Sequence, residues 1–169
     1  MQMVEIESAC KGRPGLASLD PSDTGLAVRL FHRLSPQSVY RRFHSPVVRA
    51  EYFTSLLLRL DHHDREAVAA VEDGELVGVA QYSRRAGSVH ADLAIVVADA
   101  WQRQGLGTRL VAALAERAKA EGITGFSVDV QGDNLGVLKL LKRVAPGIRL
   151  AFSGGVGEGV MPLAAEQAS

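Results

Sequence analysis

Residues Gln102, Arg103, Gln104, Gly105, Leu106, Gly107 and Thr108 place two glycines in Gly-x-Gly spacing. An apolar run, ADLAIVV, comes before them and a helical pattern, TRLVAALAERAKAEG, follows. A turn of this kind suits an anion. The first N–H groups of a helix lack intrahelical partners, and the helix dipole adds positive potential there. Glycine at 105 and 107 would let a diphosphate approach the backbone without meeting a Cβ. The bland alternative is a tight strand-to-helix turn. Two familiar phosphate loops are excluded. G-x-x-x-x-G-K-[ST] occurs nowhere in the chain. The dinucleotide fingerprint needs a third glycine where Leu110 stands, and an early strand, whereas this motif lies mid-chain.

The elements that must position this turn are legible around it. DPSD at 20–23 has the look of a helix start, and Leu26, Leu30, Phe31 and Leu34 follow at helical spacing. Ser35 caps a second, short helix with Pro36 at its first position, carrying Val39, Tyr40 and Phe43. SPVVRAEYFTSLLLRL reads as a third helix with Val48, Tyr52, Leu56 and Leu60 on its apolar side. AVAAVEDGELVGVAQYSR is two strands joined at Asp73-Gly74, a strong hairpin signal. In SVHADLAIVV, Leu93, Ile95 and Val97 point one way and Asp92, Ala94 and Val96 the other. The helix after the glycine turn buries Leu110, Val111, Leu114, Ala115 and Ala118 and ends at Gly122. FSVDV is a further strand, and DNLGVLKLLKRV is a helix with Leu138, Leu141 and Val144 inward. IRLAF, GGVGE and GVMPL make a closing hairpin, and the tail AAEQAS is expected to fray. A first strand before Asp20 would come from VEIES or GRPGLASL. The expected class is an α/β (α+β) sheet of mixed direction covered by helices, with residues 1–169 as one domain.

Bulk properties narrow the class further. The chain has 169 residues, 47% of them hydrophobic, which suits one globular core. Lys plus Arg and Asp plus Glu each number 19, a balance that argues against a general nucleic-acid binder. A single cysteine, Cys10, allows no internal disulfide and points to a reducing cytoplasm. No apolar run approaches a membrane span, and the N-terminus is mixed in charge, unlike a signal peptide. DHHD at 61–64 looks like a metal cluster. Adjacent histidines on one short loop seldom both reach one ion, so no metal is expected.

The pattern from Val97 through Gln102, Gly105 and Gly107 resembles the acetyl-CoA site of the GCN5-related N-acetyltransferases (GNAT), whose signature is [Q/R]-x-x-G-x-[G/A]. The hairpin around Asp73-Gly74 and the Asp133-Asn134 pair opening the later helix fit the same family. LSPQSVYRRFHSP, DHHDREAVAAV and ADLAIVVADAWQRQGLGTRL are similar to the acetyltransferase domains of bacterial protein lysine acetyltransferases. The resemblance implies the GNAT fold, a mixed, mostly antiparallel sheet of six to seven strands flanked by helices. It implies acetyl-CoA as co-substrate and direct acyl transfer to an amine, a protein lysine first and a small-molecule amine second. A non-catalytic acyl-CoA-sensing module is the remaining alternative, and a homodimer through the C-terminal strands is implied by related domains.

Carried onto this chain, the residues from Gln102 through Thr108 would hold the diphosphate, with Arg103 adding charge. Ile95, Val96 and Val97 would offer backbone groups to the pantetheine arm between two splayed strands, with Asn134 near the arm. Asp92 stands where those lysine acetyltransferases have a glutamate presumed to be the general base. It is one methylene shorter, so a bridging water would close the gap. Its bland reading is a strand-end Asp paired with Arg84 or Arg85. His90 and Asp129 are the runners-up. The tyrosine that many members place near the sulfur is Leu141 here, leaving no general acid in the pattern. The DHHD loop would lie near the acceptor entrance. Trp101 packs beside the turn or borders the CoA site.

Overall fold

The computed structural model describes residues 4–164, so most of the expected frayed tail lies outside the described residues. Two short strands open the chain, β1 (Glu5–Glu7) and β2 (Gly15–Ser18), paired antiparallel. Both candidate stretches before Asp20 are therefore strands. Three helices follow: α1 (Thr24–His32), α2 (Pro36–Phe43) and α3 (Ala50–Leu57). Then come β3 (Arg65–Glu72), β4 (Glu75–Arg84), β5 (His90–Val97) and a 3-10 turn at Asp99–Trp101. The chain closes with α4 (Leu106–Ala120), β6 (Gly125–Gln131), α5 (Leu135–Val144), β7 (Ala151–Ser153) and β8 (Val156–Pro162). The strands form one eight-stranded sheet in the order β1-β2-β3-β4-β5-β6-β8-β7. That exceeds the six to seven expected, because β1 and β2 are both strands where a single one was expected before Asp20. All pairings are antiparallel except β5 with β6.

Local chemistry explains most boundaries. Asp73 and Gly74 turn between β3 and β4 with φ of 50° and 74°, the conformation a two-residue hairpin requires. Ser35 accepts the Ser38 N–H at 3.1 Å and Pro36 begins α2. At 20–23 the expected helix cap is instead a closed turn. The Asp20 N–H donates to Asp23, the Ser22 N–H donates to Asp20, and α1 starts at Thr24 without a side-chain cap. α4 ends on a Schellman pair: the Gly122 N–H donates to Lys119 and the Ile123 N–H to Ala118.

The third helix is shorter than the stretch 45–60 and turned by one residue. It buries Phe53 and Leu57, while Tyr52 is 56% exposed and packs against Phe43 at the surface. Two cores result. One face of the sheet packs Tyr82, Phe126 and Val128 against Leu110, Leu114 and Leu141 of α4 and α5. The other packs Val79 and Val96 against Leu30 of α1 and Phe53 and Leu57 of α3. β5 thus sends Leu93, Ile95 and Val97 to the first core and Val96 to the second.

Candidate active site

β5 and β6 pair only at His90 with Gly125, Ala91 with Phe126 and Asp92 with Ser127. Beyond Asp92 the strands part. β5 continues to Val97 against β4, and β6 to Gln131 against β8. The Ala98 N–H donates to the Val77 carbonyl, which fixes the alternation of the ladder. By that alternation Ile95 and Val97 turn their N–H and C=O groups away from β4, into the fork, and Val96 turns its own toward Val79. The backbone edge expected at three residues is therefore presented by Ile95 and Val97, with Val96 facing the neighbouring strand.

The glycine turn sits at the mouth of this fork. Arg103 and Gly105 both have positive φ, 62° and 78°. For arginine that region is uncommon and marks a constrained loop. α4 begins at Leu106 with no side-chain cap and no acidic residue in its first turn. The N–H groups of Leu106, Gly107 and Thr108 are thus the unpaired donors of a helix N-terminus. A Cβ on Gly105 would meet nothing within 4 Å, so the approach to them is open.

Gly107 has a different reason. A Cβ there would stand 2.6 Å from Leu140 Cδ1, so this glycine also gives α5 room against α4. Gln102 also faces inward. Its amide donates to the Val97 carbonyl at 2.9 Å and to Ser38 Oγ at 3.1 Å. Asp99 completes the tie, accepting the Ser35 N–H and the Ser38 hydroxyl, each at 3.0 Å. Burial would push the Asp99 carboxyl up, but these serine donors more than offset it and hold it below the usual carboxylate range. Ser38 and Asp99 were not singled out in the sequence. The Ser-x-x-Ser spacing of the α2 cap is the signal that points to Ser38, and nothing local points to Asp99. Gln104 closes the turn by donating to the Ala100 carbonyl.

Asp92 occupies the last paired position before the fork and is exposed. Among the described residues its carboxylate has no hydrogen bond or ion pair. Arg84, its expected structural partner, bonds Asp64 at 2.8 Å instead. His90 is exposed and lies over Gly125, two register steps further from the fork. Asp129 is exposed on β6, opposite Glu158 of β8. Asn134 caps α5, its Oδ1 accepting the Val137 N–H at 3.3 Å, which leaves its amide NH2 for a ligand. Leu141 is 1% exposed in the first core, so no proton donor stands there.

The DHHD loop folds onto the C-terminal end of α4. His62 Nδ1 is 3.0 Å from Glu66, and His63 contacts Glu121. Asp61 accepts the N–H groups of His63 and Arg65. Among the described residues no group of three or more His, Cys, Asp or Glu is placed to hold a metal. Trp101 packs against both cores beside the turn. Cys10 is exposed in a tight bridge with Arg13.

A sheet split at its parallel pair, with an uncapped helix N-terminus at the mouth of the split, is the arrangement that the resemblance to CoA-dependent acetyltransferases implies. The open turn fits a diphosphate, and the Ile95 backbone and the Val97 N–H, which face away from β4, fit the amides of a pantetheine chain lying like an added strand. The comparisons take the assignment to a family. The Acetyltransferase (GNAT) family model matches residues 28–145, and the chain belongs to that family. Acetyltransferase Pat of Mycolicibacterium smegmatis is 27% identical over 113 residues, 65% of this chain and 34% of the relative. The chain therefore spans about a third of that relative's length. The GNAT domain of S. lividans PAT superposes with a TM-score of 0.81 at 24% identity, covering 95% of this chain and 97% of that one. The yncA acetyltransferase of Salmonella typhimurium, solved with its cofactor acetyl-CoA, superposes at 0.69 with 15% identity, covering 91% and 95%. Family model and fold thus agree on a GNAT acetyltransferase.

Proposed function

We propose that the chain acetylates the side-chain amine of a lysine in a protein, by direct attack on the thioester, with Asp92 as general base. The observation that carries this reading is the place of Asp92, an exposed carboxylate without a partner at the point where β5 and β6 part. Acetyl-CoA supplies the activated acetyl group. The N–H groups of Gly105, Leu106, Gly107 and Thr108 hold its diphosphate, and Arg103 adds charge. Ile95, Val97 and the Asn134 amide align the pantetheine arm. The Val97 N–H, turned into the fork, donates to the thioester oxygen as negative charge builds there.

A lysine ammonium loses its proton with a pKa of about 10.4, so the amine needs a base at neutral pH. Asp92 takes that proton, through one water where its shorter side chain does not reach. With Leu141 in the donor position the thiolate leaves unaided, as a thiol with a pKa of about 8.5 permits. Two features favour a protein acceptor. The sheet face carrying Asp92 extends over β6 and β8 with Asp129, Glu158 and Val160 exposed, a platform rather than the enclosed pocket a small molecule takes. The segments LSPQSVYRRFHSP and DHHDREAVAAV are also similar to lysine acetyltransferase domains. A cytoplasmic setting and a dimer through the outer strands β7 and β8 belong to the same reading. No helix among the described residues is long and apolar enough to cross a membrane.

The test offers acetyl-CoA together with lysine-bearing peptides and proteins and a panel of small amines. Mass spectrometry locates the acetyl group. Acetyl-lysine on protein acceptors, formed faster than any small-amine product, is expected. Transfer to small amines alone, or no CoA release from an enzyme that still binds acetyl-CoA, overturns the reading.

A further inference from the structure

Two arginines on α2 carry charge that nothing nearby balances. Arg41 is partly buried, and its Nε is sealed from water without a hydrogen-bond partner. Arg42 lies over the Phe43 ring, 4.6 Å from its centre. Burial there pushes its guanidinium below the ordinary arginine value, with Tyr52 opposing. Among the described residues neither guanidinium meets a carboxylate. Other half-buried arginines do: Arg84 pairs with Asp64, Arg109 with Glu7 and Arg117 with Glu66. A partly buried guanidinium with no carboxylate beside it is a natural partner for an anion from outside the chain.

The position of α2 says which anion. Ser35 and Ser38 tie the helix to Asp99 and Gln102 at the mouth of the fork, so the two charges sit on a fixed element. α2 packs on β5, and its Phe43 joins the second core together with Val96. That is the face of β5 to which Asp92 also belongs. The donor's diphosphate has its own site at the α4 N-terminus, on the mouth of the fork. The acceptor side is thus bipolar, cationic at α2 and anionic across Asp92, Asp129 and Glu158.

We infer that Arg41 and Arg42 receive a carboxylate of the acceptor, so that preferred protein substrates carry aspartate or glutamate beside the target lysine. This rests on the lysine reading above. A planar guanidinium suits carboxylate recognition, and Asp92 takes the neighbouring ammonium.

The test uses peptides identical except for glutamate, alanine or arginine around one lysine. Wild type favours the glutamate peptide over the alanine peptide by roughly tenfold in kcat/KM. In Arg41→Gln/Arg42→Gln that preference collapses through a higher KM for the acidic peptide, while the Kd for acetyl-CoA is unchanged. Arg41→Lys/Arg42→Lys retains part of the preference. Equal rates on all three peptides with wild type overturn the inference and leave the lysine reading standing. A double glutamine variant that weakens acetyl-CoA binding, with every peptide slowed alike, assigns the pair to the donor and also overturns it. Failure to acetylate any peptide removes the lysine reading and this inference with it.

Discussion

Asp92→Ala lowers kcat toward a lysine acceptor by about 10²–10⁴-fold, the usual contribution of a positioned general base, and leaves acetyl-CoA affinity as it was. The separation is expected because Asp92 touches neither the glycine turn nor the backbone edge of the fork, and because its carboxylate supports no hydrogen bond in the fold. Stability should change little for the same reason. Asp92→Asn, which keeps the shape and removes the basicity, should lose nearly as much rate. His90→Ala, two register steps further out, should lose far less. Steady-state kinetics with acetyl-CoA titration separates these outcomes. A full rate in Asp92→Ala would remove Asp92 as the general base, whereas a large loss with binding intact excludes a non-catalytic acyl-CoA sensor.

Thr108→Glu produces the second large effect. Thr108 lies in the first turn of α4, whose N-terminus has no capping side chain and no acidic residue. A glutamate there would offer its carboxylate to the unpaired N–H groups and satisfy the helix dipole from within. The protein should therefore hold its melting temperature or gain slightly, by about 0.3–1 kcal/mol. Acetyl-CoA should bind about tenfold or more weakly, because the diphosphate now competes with a tethered anion. Calorimetric titration beside a thermal melt reads both. An unchanged affinity would mean that the diphosphate does not use this helix end. Loss of affinity together with loss of stability would mean that the substitution damaged the turn.

Parts of this molecule with a strong local signal were legible in the sequence. Asp73-Gly74, Ser35-Pro36 and the stripe of α4 each follow from residue types within a few positions, and each is found where the spacing puts it. α3 was misphased because Tyr52 and Phe53 are both apolar and adjacent, and only the packing of α1 and β4 decides which is buried. The first strand, VEIES or GRPGLASL, was ambiguous for a related reason. β1 has just three residues and owes its existence to pairing with β2.

At the site, the Gly-x-Gly spacing located the turn but not the separate duties of its members. Gly105 opens the approach, whereas Gly107 answers to Leu140, 33 residues further on, and Gln102 answers to Ser38 of a preceding helix. Such duties depend on distant chain segments meeting, and no window of sequence contains them. The unbalanced charge at Arg41 and Arg42 belongs to the same category, since a basic pair on a short helix reads as a solvated face until burial is known.

A structure with CoA and a lysine peptide bound tests the central claim most directly. The pantetheine arm is expected against Ile95 and Val97, the sulfur in the fork beyond Asp92, and the acceptor Nζ about 2.6–3.2 Å from the Asp92 carboxylate or one water away. An arm bound elsewhere, or an Asp92 carboxylate turned to solvent with the amine served by another group, would contradict it.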